Sequence, residues 1–288
     1  MAGTVGYIGL GAMGGAMAGR LAASGFDLRV FDLSVEAMDA AVAKGAVAAA
    51  SGADLAAACD HISICVPDDA AVMEVITGDL GILGSCRPGT TIGVHSTVHP
   101  DTVRDLAVLG AERQVAVFDA GVAGGAAAAE EGALSIMAGV PEGGLTETAR
   151  AVLDCCGGAV FEAGPVGAGM AMKVAFNVMT YFQQAALSAA HQIVVGEGSD
   201  PEQLLAAWRH IGQLGQLTER FYPLVTMAPE TKVGDLGAFL AGNIYLAEKD
   251  LDLAASLGRE SGRPMPVVET VRDSMGLVYG MPQPEGDN

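Results

Sequence analysis

Basic residues are scarce in this sequence, and no run of them occurs. The 288 residues include 15 lysines and arginines against 34 aspartates and glutamates, a formal net charge of −19 at pH 7. Affinity for nucleic acid comes largely from basic side chains that release counterions, so we expect no nucleic-acid partner. Charged residues make up 17% of the chain and hydrophobic residues 51%, which excludes a disordered chain or a coiled coil. The length predicts about two globular domains.

Paired cysteine motifs are missing as well. The five cysteines form no CxxC, and Cys155 adjoins Cys156, an awkward spacing for a shared bridge or metal site. No spacing of His, Cys, Asp or Glu is typical of a metal site either. We therefore expect free thiols, no bound metal and a cytoplasmic protein. The N-terminus has no basic segment before an apolar run, so we expect no signal peptide.

Charge is absent from one long segment, residues 174–196, which is long enough to cross a bilayer. Polar side chains are spread along it, among them Asn177, Gln183, Gln184, Ser188 and His191. They favour a helix buried in a large core or a subunit interface over a membrane span. We expect no membrane partner and a homodimer or homotetramer assembled through the C-terminal helices.

Short apolar strands alternate with helical stretches as far as Phe161, an order typical of a parallel sheet with right-handed crossovers. The predicted strands are Val5–Ile8, Leu28–Phe31, Ile62–Val66, Thr91–Val94, Val115–Phe118, Leu134–Met137 and Ala159–Phe161. Helix breakers cluster at 164–167, and long apolar helical patterns follow. We therefore expect a domain boundary near residue 163, with an α/β domain over 1–163 and an all-α domain over 164–288.

A glycine-rich turn follows the first predicted strand and opens the first predicted helix. Gly9-Leu10-Gly11-Ala12-Met13-Gly14 has the spacing G-x-G-x-x-G. In a dinucleotide-binding domain the first glycine permits the tight turn, the second lets the backbone approach a pyrophosphate, and the third allows close packing of helix on strand. The helix N-terminus adds unpaired N–H donors and the positive end of its dipole. This context predicts that residues 9–14 bind a dinucleotide cofactor.

An acidic residue ends the second predicted strand. Asp32 lies 18 residues after Gly14, close to the spacing at which this motif places an acid on the ribose hydroxyls. A carboxylate there repels a 2′-phosphate, and Arg29, the nearby cation, sits inside the strand. We therefore predict NAD as the cofactor, with NADP less favoured. The alternative is that Asp32 only caps a turn with Ser34.

Four motifs extend the pattern in a fixed order. They are GYIGLGAMG at 6–14, DAGVAGG at 119–125 followed by GAL at 132–134, GAGMAMKVAFN at 167–177, and KDL at 249–251. With these motifs the chain resembles the β-hydroxyacid dehydrogenase family, which includes 3-hydroxyisobutyrate dehydrogenase and tartronate semialdehyde reductase. The resemblance spans nearly the whole chain. It implies a Rossmann domain like that of 6-phosphogluconate dehydrogenase, a helical domain like that of 3-hydroxyisobutyrate dehydrogenase, and an active site between them.

The resemblance also implies a reaction, reversible hydride transfer between NAD(H) and a small β-hydroxy acid or its semialdehyde. Lys173 would be the general acid/base, and Asn177, four residues later on the same helix face, would orient the substrate. Beyond residues 9–14 and Asp32, the family pattern implies cofactor contacts at Val66, Pro67, Thr97 and Lys249, and substrate contacts at Ser96, Ala123, Gly124 and Gly125.

Lys173 also stands out without the resemblance. It is the only charged residue between Glu162 and Glu197, and its neighbours are apolar. A free lysine has a pKa of about 10.4, too high for efficient proton exchange near neutrality, and burial among such neighbours would lower that pKa. Such a residue is either functional or extends its amine to solvent.

The chain departs from the family pattern at the substrate segment. Gly121 and Ala123 stand where relatives commonly have Pro and Ser, and Ala123 lacks the hydroxyl that helps to hold the substrate carboxylate. The backbone N–H groups of Gly124 and Gly125 can still bind an anion. His95 stands where an acid is common, and it either ends the strand or adds a cation near the cleft. These departures predict a more apolar pocket and leave the substrate open.

Three other functions are compatible with parts of the sequence. An imine reductase shares this architecture, but such enzymes usually replace the lysine that is present here as Lys173. A 6-phosphogluconate dehydrogenase is longer and needs a basic phosphate-binding set that this chain lacks. A non-catalytic NAD-binding module is expected to lose Lys173 and Asn177, and both are present.

Overall fold

A computed structural model describes residues 3–78 and 81–281 of the chain. Strands β1 to β8 are Val5–Ile8, Leu28–Phe31, Val47–Ala48, His61–Ile64, Thr91–Val94, Ala116–Ala123, Leu134–Val140 and Gly157–Pro165. Seven of them match the predicted strands, three with the predicted bounds (Val5–Ile8, Leu28–Phe31 and Thr91–Val94) and four with different ends, and the short β3 was not predicted. β6 continues through Ala123, so the segment Asp119–Ala123, which follows the predicted strand end at Phe118, also belongs to the strand.

All eight strands form one sheet in the order β3-β2-β1-β4-β5-β6-β7-β8. Neighbours pair in parallel except β6 and β7, which pair antiparallel. The connection between these two strands, residues 124–133, is shorter than the dozen or so residues that a parallel crossover needs. The prediction of a parallel sheet is therefore wrong at this pair. The strand order reverses between β1 and β4, the point where open α/β sheets bind ligands at the carboxyl ends of their strands.

Thirteen α-helices accompany the sheet in the described residues. Helices α1 to α13 are Ala12–Ala23, Val35–Ala43, Gly52–Ala58, Asp69–Thr77, Pro100–Ala111, Gly125–Glu131, Glu147–Cys156, Ala168–Gly196, Pro201–Ile211, Gln216–Thr226, Gly234–Glu260, Pro266–Asp273 and Met275–Val278. Several begin where a short polar side chain accepts an N–H of the first turn, as at Ser34, Asp68 and Thr146.

The chain divides into two compact units, residues 1–173 and 174–288. In the first unit the sheet is covered on both faces. Val5 and Tyr7 of β1 belong to a buried cluster with α1, α6 and α7, whereas Ile8 belongs to a second cluster with α3, α4 and α5. Burial of both faces explains why the strands are nearly continuous apolar runs in the sequence.

The described part of the second unit is helical. Its core joins apolar residues of α8 to α9 and to α10 through α13. The division between the units falls inside α8, between Lys173 and Val174, and the predicted boundary near residue 163 lies earlier, in β8. No helix among residues 3–78 and 81–281 combines the length and hydropathy needed to cross a membrane.

Candidate functional site

The glycine-rich turn joins the end of β1 to the start of α1. Gly9 has a φ of +89°, and a side chain there would collide with the carbonyl of Cys65. A side chain on Gly14 would collide with the carbonyl of Gly9, so α1 packs directly onto the turn. Nothing lies within 4 Å of a Cβ built on Gly11, and the backbone is open at that point. The geometry at each glycine is thus the one that the motif requires.

The start of α1 fits an anionic group. Gly11 is the N-cap residue and provides no side-chain acceptor for the first N–H groups of the helix. These donors and the positive end of the helix dipole point to the open side of the turn. The combination of an uncapped helix start and an open backbone fits the pyrophosphate of a dinucleotide.

Asp32 holds the same turn from the end of β2. Its carboxylate accepts the N–H of Leu10 at 2.5 Å and the N–H of Ser34 at 2.8 Å. The contact with Ser34 agrees with the alternative interpretation, in which Asp32 caps a turn with Ser34. The carboxylate also lies at the glycine turn, and its contact with a ribose stays a prediction.

Ser96 ties the end of β5 to the end of β4. Its buried hydroxyl oxygen accepts the N–H of Val66 at 2.8 Å. Val66 and Thr97 are half-buried, and Pro67 is exposed. Ser96 therefore fixes the segment that the family pattern places beside the cofactor, a contact that the sequence did not predict.

Lys173 lies on α8 with its stem against β6. Only 8% of the residue is exposed. A Cβ built on Gly121 would lie 2.7 Å from Cβ of Lys173 and 2.8 Å from its Cγ. The lysine stem therefore fills the space that a side chain at residue 121 would need. The departure at Gly121 makes room for Lys173 itself and not for a more apolar substrate.

Asp119 lies two residues before Gly121 and holds the start of α8. It is fully buried, and its two carboxylate oxygens accept the N–H of Gly167 at 2.7 Å and of Met170 at 2.6 Å. Burial raises the pKa of Asp119, and the two N–H donors oppose that rise in part. Residues two apart on a strand face the same side. Strand β6 thus fixes the position of the start of α8 through Asp119 and the position of the Lys173 stem through Gly121.

Asn177 lies in the second unit, four residues after Lys173 on α8. Its side-chain amide donates to Oδ2 of Asp250 at 2.6 Å, and the Tyr181 hydroxyl donates to the same oxygen at 3.2 Å. The Lys249 ammonium donates to Oδ1 of Asp250 at 2.8 Å. Burial, with Asp250 beside it, raises the pKa of Tyr181 and keeps its hydroxyl a donor. One buried carboxylate therefore orients two predicted site residues, Asn177 and Lys249.

The predicted substrate segment ends β6 and begins α6. Ala123 is buried, while Gly124 and Gly125 have φ values of +137° and +81°. Nothing lies within 4 Å of a Cβ built on Gly125, so the backbone is open there. Positive φ at both positions explains the glycine pair, because other residues are strained in that conformation.

His95 is buried and uncharged, so it is not the cation that the sequence allowed near the cleft. Burial lowers the pKa of His95 to about 4. Its Nδ1 lies 2.9 Å from the carbonyl oxygen of Ala120. The interpretation of His95 as a strand-end residue is the one that agrees with this position.

Two acidic residues of the site had no predicted role. Asp119 and Asp250 both lie inside the quoted motifs, and each is buried with several donors around its carboxylate. The signal in the sequence was an acid within an apolar strand or helix, since a buried charge needs partners. Apart from Lys249, which adjoins Asp250, their partners lie far away in the sequence.

Comparison with known proteins gives a consistent result. Residues 4–164 match the family model described as the NAD binding domain of 6-phosphogluconate dehydrogenase. An uncharacterized oxidoreductase of Mycobacterium tuberculosis is 37% identical over 98% of this chain and 95% of its own length. A probable mitochondrial 3-hydroxyisobutyrate dehydrogenase of Dictyostelium discoideum is 34% identical over 91% of this chain and 81% of its own length.

A solved structure extends the similarity to the whole fold. The 3-hydroxyisobutyrate dehydrogenase of Mycobacterium tuberculosis with L-serine matches with a TM-score of 0.78 and 26% identity, covering 96% of this chain and 94% of that one. The predicted fold class, an N-terminal Rossmann domain followed by a helical C-terminal part, is therefore confirmed.

Proposed function

This chain belongs to the β-hydroxyacid dehydrogenase family, and we propose from that membership that it transfers a hydride reversibly between NAD(H) and a small β-hydroxy acid or its semialdehyde. It is a dehydrogenase that uses a nicotinamide cofactor and acts on the CH–OH group of a small molecule. The observation that supports the proposed chemistry best is Lys173, a buried lysine whose helix is held by Asp119 and whose stem packs on Gly121.

Proton transfer is assigned to Lys173. It takes the proton of the substrate hydroxyl during oxidation and returns a proton to the carbonyl oxygen during reduction. Asn177 orients the substrate, and because Asp250 accepts from its amide, that amide keeps one orientation. The nicotinamide, when bound, accepts or supplies the hydride. The protein holds the reacting groups in place, which removes much of the entropic cost of the step.

NAD is proposed as the cofactor in preference to NADP. Asp32 lies at the glycine turn with its carboxylate on the N–H groups of Leu10 and Ser34, and Glu36 follows four residues later. A 2′-phosphate beside these carboxylates would be repelled. The cofactor would be held by residues 9–14 and by Asp32, Val66, Pro67, Thr97 and Lys249.

The substrate carboxylate is proposed to bind at Ala123, Gly124 and Gly125, with Ser96 nearby in the family pattern. Ala123 has no hydroxyl, so the N–H groups of the two glycines would supply the donors. We assign residues 1–163 to a cofactor-binding domain that also carries this substrate segment, and residues 164–288 to a helical domain for substrate binding and oligomerisation. A cytoplasmic location is proposed because all five cysteines are unpaired.

A substrate panel tests the proposed function. We expect turnover of one or more 3-hydroxy acids, and of the matching semialdehydes in reverse, when NAD(H) absorbance is followed. Repulsion of the 2′-phosphate should make kcat/KM with NAD at least about tenfold higher than with NADP. Cyclic imines serve as the control substrates. Reduction of imines without turnover of any hydroxy acid would contradict the proposal.

A homodimer or homotetramer is proposed from the exposed face of α8. Apolar residues recur along it at alternating steps of four and three, at Ala175, Met179, Phe182, Ala186, Ala189 and Ile193, of which Phe182 is partly buried against the helical core. Met179 is 60% exposed and Ile193 68% exposed. This spacing is the one at which two helices pack along a seam. Because exposed apolar faces of this kind mark contacts between chains, we propose that a second copy of this chain covers it.

The seam predicts the effect of a charge on assembly. We expect Ile193→Lys to lower the mass of the assembly to that of a monomer in size-exclusion chromatography with light scattering, because a lysine in the seam would bury a charge without a partner. Val108→Lys is the matched control, since Val108 is 64% exposed and lies on α5 in the first unit. A monomeric wild type, or an equal change in both variants, would contradict the interface.

A further inference from the structure

His95 lies where β5 has ended and β6 continues. Pairing between the two strands stops at Val94 and Asp119, while β6 runs on to Ala123. The next carbonyl of β6 belongs to Ala120, which is fully buried, and a buried carbonyl without a partner is costly. Nδ1 of His95 lies 2.9 Å from that oxygen. The His95 side chain thus provides a hydrogen bond to the β6 backbone at the point where the backbone of β5 no longer pairs with it.

The partners of the ring fix every hydrogen in a row of buried side chains. The Ala120 carbonyl only accepts, so Nδ1 of His95 carries the hydrogen, and Nε2 of the neutral ring accepts. Ser63 therefore donates from its hydroxyl to that Nε2, across 3.0 Å. Ser63 accepts in turn from Nε2 of His61 at 3.2 Å, and Nδ1 of His61 accepts from the Thr91 hydroxyl at 2.8 Å. The row is fully satisfied. His61 stacks its ring on Phe118 of β6, and His95 makes the hydrogen bond of this row to the backbone of β6.

The stretch of β6 beside Ala120 is the one that positions Lys173. Asp119 precedes Ala120 and holds the start of α8, and Gly121 follows it and packs on the stem of Lys173. A shift of Ala120 would therefore move both supports. We propose that His95 is a positioning residue for Lys173, which acts by holding the Ala120 carbonyl. The assignment rests on the proposed role of Lys173 as the general acid/base.

The test compares His95→Asn with His95→Leu. The amide of Asn branches from Cγ, as Nδ1 does, and can donate to Ala120, whereas Leu has no donor. Both variants lose the ring that stacks on Tyr7 at 6.1 Å between centroids. Their difference therefore isolates the hydrogen bond to Ala120. If His95→Leu does not fold, His95→Gln replaces it. The side chain of glutamine is longer than that of asparagine, so its amide lies near the former position of Nε2, beside Ser63, and not at Ala120.

Two measurements are made on the full chain. Hydrogen–deuterium exchange of the segment 119–125 reports the opening of β6 without any substrate, and we expect it to be about tenfold faster in His95→Leu than in wild type. We expect kcat in the same variant to fall by about 10–100-fold, because small misplacements of a reacting group are costly, with the dissociation constant for NADH unchanged. His95→Asn should stay close to wild type in both.

Ser63→Ala is the matched control. It removes the partner of Nε2 and leaves Nδ1 on Ala120, so we expect a lower Tm with unchanged exchange in 119–125 and unchanged kcat. Equal kcat in the Asn and Leu variants, or an equal loss in Ser63→Ala, would show that packing alone matters and would overturn the inference. Unchanged exchange of 119–125 in His95→Leu overturns it whether or not a substrate is found. A wild type without turnover on the panel refutes the proposed function alone.

Discussion

Lys173→Met is expected to lower kcat by about 10²–10⁴-fold, the usual contribution of a general acid or base, while NADH binding stays close to wild type. Methionine keeps an unbranched stem to pack against Gly121 but carries no proton to exchange. The glycine turn and Asp32 belong to β1, α1 and β2 rather than to α8, which explains the unchanged cofactor binding. Steady-state kcat on the best panel substrate and a fluorescence titration with NADH measure the two effects separately.

Lys232→Met is the matched control because Lys232 is also buried, with only 2% exposed. Its ammonium donates to the carbonyl of Tyr279 at 2.8 Å, and burial lowers its pKa. Losing that bond should lower the free energy of unfolding by about 1–3 kcal/mol and leave kcat unchanged. The role of Lys173 would be contradicted by a kcat within about threefold of wild type in Lys173→Met, or by an equal loss of kcat in Lys232→Met.

Asp119→Ala is expected to lower the free energy of unfolding by about 3 kcal/mol, because two N–H groups at the start of α8 lose a buried charged acceptor. The donors are those of Gly167 and Met170. We also expect a lower kcat, since the same helix carries Lys173. Urea unfolding followed by circular dichroism measures the stability, and the substrate assay measures the second effect.

A conventional helix cap provides the control for Asp119. Asp68 accepts the N–H of Ala71 at 2.9 Å at the start of α4 and is half-buried. Asp68→Ala should therefore cost about 1 kcal/mol, the typical loss of one N-cap. An equal loss in the free energy of unfolding in Asp119→Ala and Asp68→Ala would mean that Asp119 stabilises α8 no more than an ordinary helix cap does.

The pH dependence gives a second check on Asp119. Burial raises its pKa above the ordinary value of 3.8. A group with a higher pKa in the folded state contributes stability that is fully present below its unfolded pKa and is lost as the pH rises through the folded pKa. The destabilisation by Asp119→Ala should therefore be larger at about pH 4 than at about pH 7. A smaller effect at the lower pH would indicate that the folded protein favours the charged form.

The first half of the fold could be predicted because its signals are local. Apolar strands, the caps of α2 and α4, and the glycines of the turn each depend on a few neighbouring residues. The antiparallel pairing of β7 could not be predicted from apolar pattern alone, since the pattern is the same in either direction. The short connection 124–133 carries that information. The predicted strand ended at Phe118, and the predicted connection 119–133 was long enough for a parallel crossover.

In the candidate site, too, local features could be predicted and long-range contacts could not. Lys173 could be predicted because a single charge in a long apolar stretch is visible in the sequence. Its supports could not, because Asp119 reaches Gly167 and His95 reaches Ala120 only after the sheet has formed. Asp250 adjoins Lys249 in a recognisable motif, but its contact with Asn177 joins two helices far apart in the chain. Such long-range contacts produce no periodic pattern in the sequence from which they could be predicted.

The two edges of the sheet give the protein a safeguard against aggregation. At one edge β3 has only 2 residues, and at the other β8 pairs with β7 through two register shifts. β8 also carries Glu162, which pairs with Arg150 at 3.0 Å, and it ends at Pro165, which has no N–H to offer. Short, irregular and charged edges prevent a strand of another chain from extending a sheet. Growth into open-ended fibres is thereby disfavoured even when the chain is concentrated.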